Sequence, residues 1–129
     1  MHNNNRIGDI AETYAAAYLG SEGYEVFPNF GCSGPADLVI WSKEDNEFIA
    51  VDVKRINPDK ITGWGRINIP PKTPEQLGLD VLFLLVFLRD DGGVDRFMWD
   101  WQAEEHNARL PDKRHTVGKA PPNRLMIPR

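Results

Sequence analysis

The amino-acid sequence predicts an α/β fold, on three observations. A helical apolar period opens the chain, two β-branched runs of strand length follow it, and an eight-residue run that is apolar on both faces, Val81 to Leu88, has the pattern of a central buried strand. Taken in order, the elements form a sandwich of helix, three strands, helix and two strands.

Each element has a local reason. From Ile7 to about Ser21, apolar residues at Ile7, Ala11, Tyr14, Ala15, Tyr18 and Leu19 keep a 3.6-residue period, and Gly20 and Gly23 supply stop signals. A short strand is expected over Tyr24 to Pro28. The turn-rich stretch Asn29 to Pro35 then delivers the chain into a second strand, Asp37 to Ser42. After a polar turn, Lys43 to Glu47, a third strand runs to Ile56. Its Phe48, Ala50, Asp52 and Lys54 share one face, and Ile49, Val51, Val53 and Arg55 share the other. Residues Asn57 to Pro74, punctuated by Pro58, Gly63, Gly65, Pro70, Pro71 and Pro74, are expected to form a long loop of the functional kind. Thr73-Pro74-Glu75-Gln76 combines an N-cap threonine, a proline at the first helical position and a capping-box glutamine, so a short helix is predicted before Gly78. Asp90-Asp91-Gly92-Gly93 is a hairpin turn that leads from the central strand into an edge strand, Val94 to Trp99. A short helix is expected over Asp100 to Asn107, with Trp99 and Trp101 covering a sheet end or a subunit contact.

Length and composition narrow the function classes. With 129 residues the chain is expected to hold one core, in a domain spanning 1–110, followed by a basic, proline-rich tail over 111–129. No apolar run is long enough to span a membrane. The polar N-terminus is unlike a signal peptide and Cys32 has no second cysteine to pair with, so a reducing, cytoplasmic setting is expected. Scattered histidines and one cysteine argue against structural zinc. A net charge of −4 conceals segregation: Lys54 to Lys72 holds five cations and one acid, and His106 to Arg129 six cations and one acid. Two basic stretches on an otherwise acidic chain suit phosphate binding, although charge runs are also ordinary solvated surface.

The chemistry concentrates on two strands. Asp37, in Gly34-Pro35-Ala36-Asp37-Leu38-Val39-Ile40, and Asp52, in Phe48-Ile49-Ala50-Val51-Asp52-Val53-Lys54, sit at the edges of apolar runs and are separated by fourteen residues. On neighbouring strands they supply hard oxygen ligands for Mg²⁺, with Mn²⁺ as a substitute and the Val53 carbonyl as a third ligand. Lys54 shares the face of Asp52, where an ammonium would orient an attacking water or stabilise charge on phosphorus. The same residues also fit a buried salt bridge. Glu12, at the border of the helical stripe, fits either a ligand leaning toward the sheet or a solvated helical glutamate.

Gly8-Asp9-Ile10-Ala11-Glu12 on the first helix, then Ser33-Gly34-Pro35-Ala36-Asp37, then Asp52-Val53-Lys54 together resemble the PD-(D/E)XK nuclease superfamily, in particular archaeal-type Holliday junction resolvases and small phage or intron-encoded endonucleases. The likeness covers roughly residues 6 to 56; here Ala36 separates the proline from its acid, and the second acid is Asp. It implies a restriction-endonuclease-like α/β/α sandwich with a mixed central sheet. It further implies a Mg²⁺-dependent endodeoxyribonuclease whose catalytic set is Glu12, Asp37, Asp52 and Lys54, with Asp37, Asp52, Val53 and Glu12 around the metal. DNA would be bound by Ser33, Arg55, Lys60, Trp64, Arg66 and Lys72, and a homodimer is expected because cutting both strands needs two sites. Trp64 suits stacking on a base, and equally packing of the loop onto the body. The rival expectation is a noncatalytic DNA-binding or protein-interaction module of the same fold, and RNA is an alternative substrate.

Overall fold

The computed structural model describes residues 3–29, 34–61 and 65–111. Helix α1 (Asn3–Ser21) is followed by strands β1 (Glu25–Pro28), β2 (Leu38–Ser42) and β3 (Glu47–Ile56), a 3-10 turn (Pro58–Lys60), helix α2 (Pro74–Gly78), strands β4 (Leu82–Leu88) and β5 (Val94–Trp99), and helix α3 (Asp100–Ala108). The order of helix, three strands, helix and two strands is the one read from the sequence, with α3 closing it.

All five strands join one mixed sheet in the order β1-β2-β3-β4-β5. The first three form an antiparallel meander, β4 lies parallel to β3, and β5 returns antiparallel to β4. A parallel neighbour requires a crossover, and residues 57–81 supply it. β4 is interior, so both its faces are covered and its run needs no polar alternation. Phe83, Leu84, Leu85 and Val86 are fully buried. At the β2–β3 turn Asn46 takes the left-handed conformation, φ 53°, that asparagine tolerates, and in the β4–β5 turn Gly92 does so at φ 93°.

Period-two alternation sorts the sheet into two cores. One face packs Leu38, Ile40, Val51, Leu84, Val86 and Leu88 against the α1 stripe Ala11, Ala15 and Leu19, together with Trp99; Trp101 is packed against this core. Leu19 is fully buried there, worth about 1.5–3 kcal/mol in transfer terms. The opposite face carries Phe83, Leu85, Phe87 and Met98, covered by Ala103 of α3 and by Ile67 and Ile69 of the crossover. Helix on one side, crossover and α3 on the other make the sandwich. The sequence reading placed Ile7 in the α1 stripe; its side chain lies outside the described residues.

The proline-rich stretch after β3 is anchored rather than loose. Asn107 of α3 holds Ile67 at both ends, its Oδ1 accepting from the Ile67 N–H at 2.9 Å and its Nδ2 donating to the Ile67 carbonyl at 2.8 Å. The Asp90 amide donates to Asp59 at 3.0 Å, tying the 3-10 turn to the end of β4. Helix α2 has the predicted capping box: Gln76 N–H donates to Thr73 Oγ1 and Thr73 N–H to Gln76 Oε1. Among the described residues no helix is long and apolar enough to cross a membrane.

Candidate functional site

Strand β2 begins at Leu38, two residues short of the position that would face Val53 of β3. The last register pair is Leu38 with Val51, so the next β3 amide facing β2, that of Val53, meets no strand residue. The Asp37 carboxylate takes its place: Asp37 Oδ2 accepts from Val53 N–H at 2.7 Å. The Asp37 backbone is pinned as well, its N–H donating to Val51 O at 2.9 Å and its carbonyl accepting from Asn29 N–H at 2.9 Å. Behind it, buried Gln76 donates through Nε2 to Pro35 O at 2.9 Å, so the α2 cap helps hold the segment that delivers Asp37. This consumes both ends of the Gln76 amide.

That position lies beside β3 at the start of β2, between the two faces of the sheet. Glu12, half-buried on α1, reaches Asp37 from one face, and Asp52, 8% exposed on β3, reaches it from the other. Glu12 and Asp52 both act on the Asp37 carboxyl, whose Oδ2 is engaged by the Val53 amide. Burial, reinforced by the charges of Asp52 and Glu12, pushes Asp37 up to about 7 against the pull of the Val53 amide. Burial also raises Glu12 above the ordinary glutamate range, with Asp9 and Asp52 adding to it. The acids therefore form a chain through the sheet, and among the described residues no three of His, Cys, Asp or Glu are grouped to hold a metal ion.

Lys54 stands where the alternation predicts, on the face of Asp52, with Nζ 3.0 Å from Asp52 Oδ2. Its ammonium also lies 5.2 Å from the centre of the Phe83 ring, the residue that pairs with Asp52 across β3 and β4. Val53 points its side chain the other way, and its carbonyl is aimed along the edge that β2 has vacated, beside Asp37. Two carboxylates, a carbonyl and an adjacent lysine thus share one corner of the sheet.

The proposed DNA-contacting cations divide. Lys72 belongs to the site: its ammonium is 5.3 Å from the Phe83 ring centre and 2.7 Å from Asp100 Oδ2. Arg55 does not join it. It projects from the opposite face, where Nε donates to Leu88 O at 2.9 Å and Nη2 meets Asp90 at 3.3 Å. Lys60 is exposed at the end of the 3-10 turn, and Arg66 is exposed at the rim of a cavity of about 510 Å³ lined also by Ile67, Asn68, Ile69, Glu104 and Asn107. Ser33 and Trp64, and the tail beyond residue 111, lie outside the described residues.

Sequence reasoning missed Asp100. It is 4% exposed at the start of α3, and Oδ2 accepts the Phe83 N–H at 3.0 Å as well as the Lys72 ammonium. An acid in the first turn of a predicted helix was the available signal. No protein-family model, curated protein or solved structure matches the chain.

Proposed function

We propose that this chain is a metal-dependent endonuclease that hydrolyses DNA phosphodiesters, on a restriction-endonuclease-like sandwich. One observation carries the reading: Asp37 fills the open edge of β3 and is thereby held against both Glu12 and Asp52, with Lys54 on Asp52. Three acids against one lysine leave negative charge that a divalent cation would balance. The all-oxygen donor set suits Mg²⁺, which keeps several waters and needs only one or two carboxylates. Asp37, Asp52 and the Val53 carbonyl would hold the ion, and Glu12 would complete or gate its shell. Once bound, such an ion polarises the scissile phosphate and acidifies a water.

The protein's own groups supply the rest. An ammonium has three donors; Asp52 takes one on Lys54, which leaves the others to orient the attacking water and to meet charge developing on phosphorus. Asp37 must release its proton before it can serve a cation, so activity should rise with pH toward about 7. Cutting both strands would take a symmetric pair of chains, a state that light scattering reads directly.

The test is incubation of linear, nicked, single-stranded and four-way-junction DNA, and of RNA, with Mg²⁺, Mn²⁺ or EDTA beside a Lys54→Ala variant. Metal-dependent cutting lost in the variant supports the reading. A second reading, a noncatalytic binding module, is favoured by the internal pairing of the acids with Val53 N–H and Lys54. DNA binding with no cutting and no Mn²⁺ affinity would favour it instead.

A further inference from the structure

Lys54 and Lys72 come from different elements, β3 and the end of the crossover, yet both ammonium groups hover over the same Phe83 ring at 5.2 and 5.3 Å. They are therefore no farther apart than the sum of those distances, a span of one to two nucleotides. Each is steered by an acid, Lys54 by Asp52 at 3.0 Å and Lys72 by Asp100 at 2.7 Å. Neither is buried: the side chains are 36% and 25% exposed. Asp100 is the opposite, a nearly inaccessible carboxylate already satisfied by the Phe83 amide and by its place in the first turn of α3. A lysine bound to it gains a fixed position and keeps two donors for another partner. The ring below excludes water from one side and favours cations above it.

We propose that Lys54 and Lys72 form a two-lysine clamp for the phosphodiester, and that Asp100 is the positioning residue that fixes Lys72 in it. The clamp rests on the nuclease reading and names what that site grips: the non-bridging oxygens of the scissile phosphate or its neighbour. It assigns to Lys72 a place at the reacting centre rather than a general role in a basic stretch.

The experiment measures binding and cutting separately on the same proteins. Binding of a short fluorescein-labelled duplex in Ca²⁺, which takes the same oxygen ligands, is followed by anisotropy across a KCl series. Single-turnover cleavage is then measured in Mg²⁺. Lys72→Ala should reduce the slope of log affinity against log salt by about one unit, and Lys72→Arg should restore it, whereas Lys43→Ala in the distant β2–β3 turn should leave it unchanged. Asp100→Asn keeps the lysine charge and an oxygen for the Phe83 amide, so affinity should hold while the cleavage rate falls about tenfold. Melting curves identify a variant that fails to fold, in which case the Lys72 pair decides. If the wild type cuts and Lys72→Ala keeps its full salt slope and rate, the clamp is wrong and the nuclease reading survives. If Asp100→Asn cuts at the wild-type rate, the positioning role is wrong. A wild type that neither binds nor cuts the duplex overturns both readings, and one that binds without cutting overturns the nuclease reading while the salt slope of Lys72→Ala still judges the phosphate contact.

Discussion

Replacing Asp37 with asparagine separates what the site costs the fold from what it does. The Asn side chain keeps an oxygen for the Val53 N–H but cannot ionise. In the native protein Asp37 titrates near 7 against an ordinary value of 3.8, so the folded state holds a proton that the unfolded chain has released across that interval. Stability then falls as pH rises, because the native state binds more protons than the unfolded one. A shift of about three units would be worth roughly 4 kcal/mol if fully felt; the carboxyl is only partly buried, and solvent screening brings the figure to roughly 1–2 kcal/mol. In EDTA, Asp37→Asn should therefore melt with the wild type near pH 4 and above it by about 4–8 °C at pH 8, the gap opening between pH 4 and 7. Adding Mn²⁺ at pH 8 should raise the wild-type midpoint and leave the variant unmoved, since a bound cation replaces the lost proton. Thermal melts over that grid are the assay. A wild type that gains stability from pH 5 to 8, or a gap that is constant with pH, would refute the account of an Asp37 carboxyl kept protonated by burial and by the like charges beside it.

Three further outcomes follow from single contacts. Lys54→Ala should retain the fold and lose about 10²- to 10³-fold in cleavage rate, read in single-turnover assays beside circular dichroism. Thr73→Ala removes the α2 cap and should cost about 1 kcal/mol in urea unfolding, with a drop in cleavage because Gln76 no longer steadies Pro35 and, through it, Asp37. Asn107→Ala strips both hydrogen bonds from Ile67 and should cost about 1–3 kcal/mol, with faster amide exchange at Ile67 while the β4 amides stay protected.

What could be read in advance was whatever alternation and capping control locally. The α2 capping box, the buried β4 and the facing of Asp52 with Lys54 are all near-neighbour effects, and the structure has each of them. Arg55 shows the limit of charge counting. Its place in a basic stretch does not tell which face it takes, and the same alternation that put Asp52 and Lys54 together turns Arg55 to the other face, beside Leu88 and Asp90. Asp100 was invisible for a different reason. Its partners, Lys72 and Phe83, are 28 and 17 residues away, and only the sheet and the return of α3 over it bring the three together. Asn107 is the same case, since glycines and prolines mark where the chain leaves regular structure without showing what then holds it.

The late start of β2 ties these features into one device. Had the strand begun sooner, a backbone carbonyl would meet the Val53 amide, and the edge would be sealed between α1 on one face and the crossover on the other. Beginning it at Leu38 leaves the Val53 amide without a strand partner, and a side-chain carboxylate satisfies it. An orphaned buried amide costs about 1–3 kcal/mol, so Asp37 is needed there for the fold as well as for any chemistry. Because it stands in the sheet plane, Glu12 of α1 and Asp52 of β3 approach it from opposite faces, and burial, reinforced by their charges, holds its proton on. The like charges that add to burial in raising Asp37 are the ones a divalent ion would neutralise, so groups that help destabilise the metal-free protein above neutral pH are also those that would give the ion its affinity. A variant that gains stability at alkaline pH by losing one of these acids should lose metal affinity in proportion, and a stabilised variant that still bound Mn²⁺ at full strength would break that link.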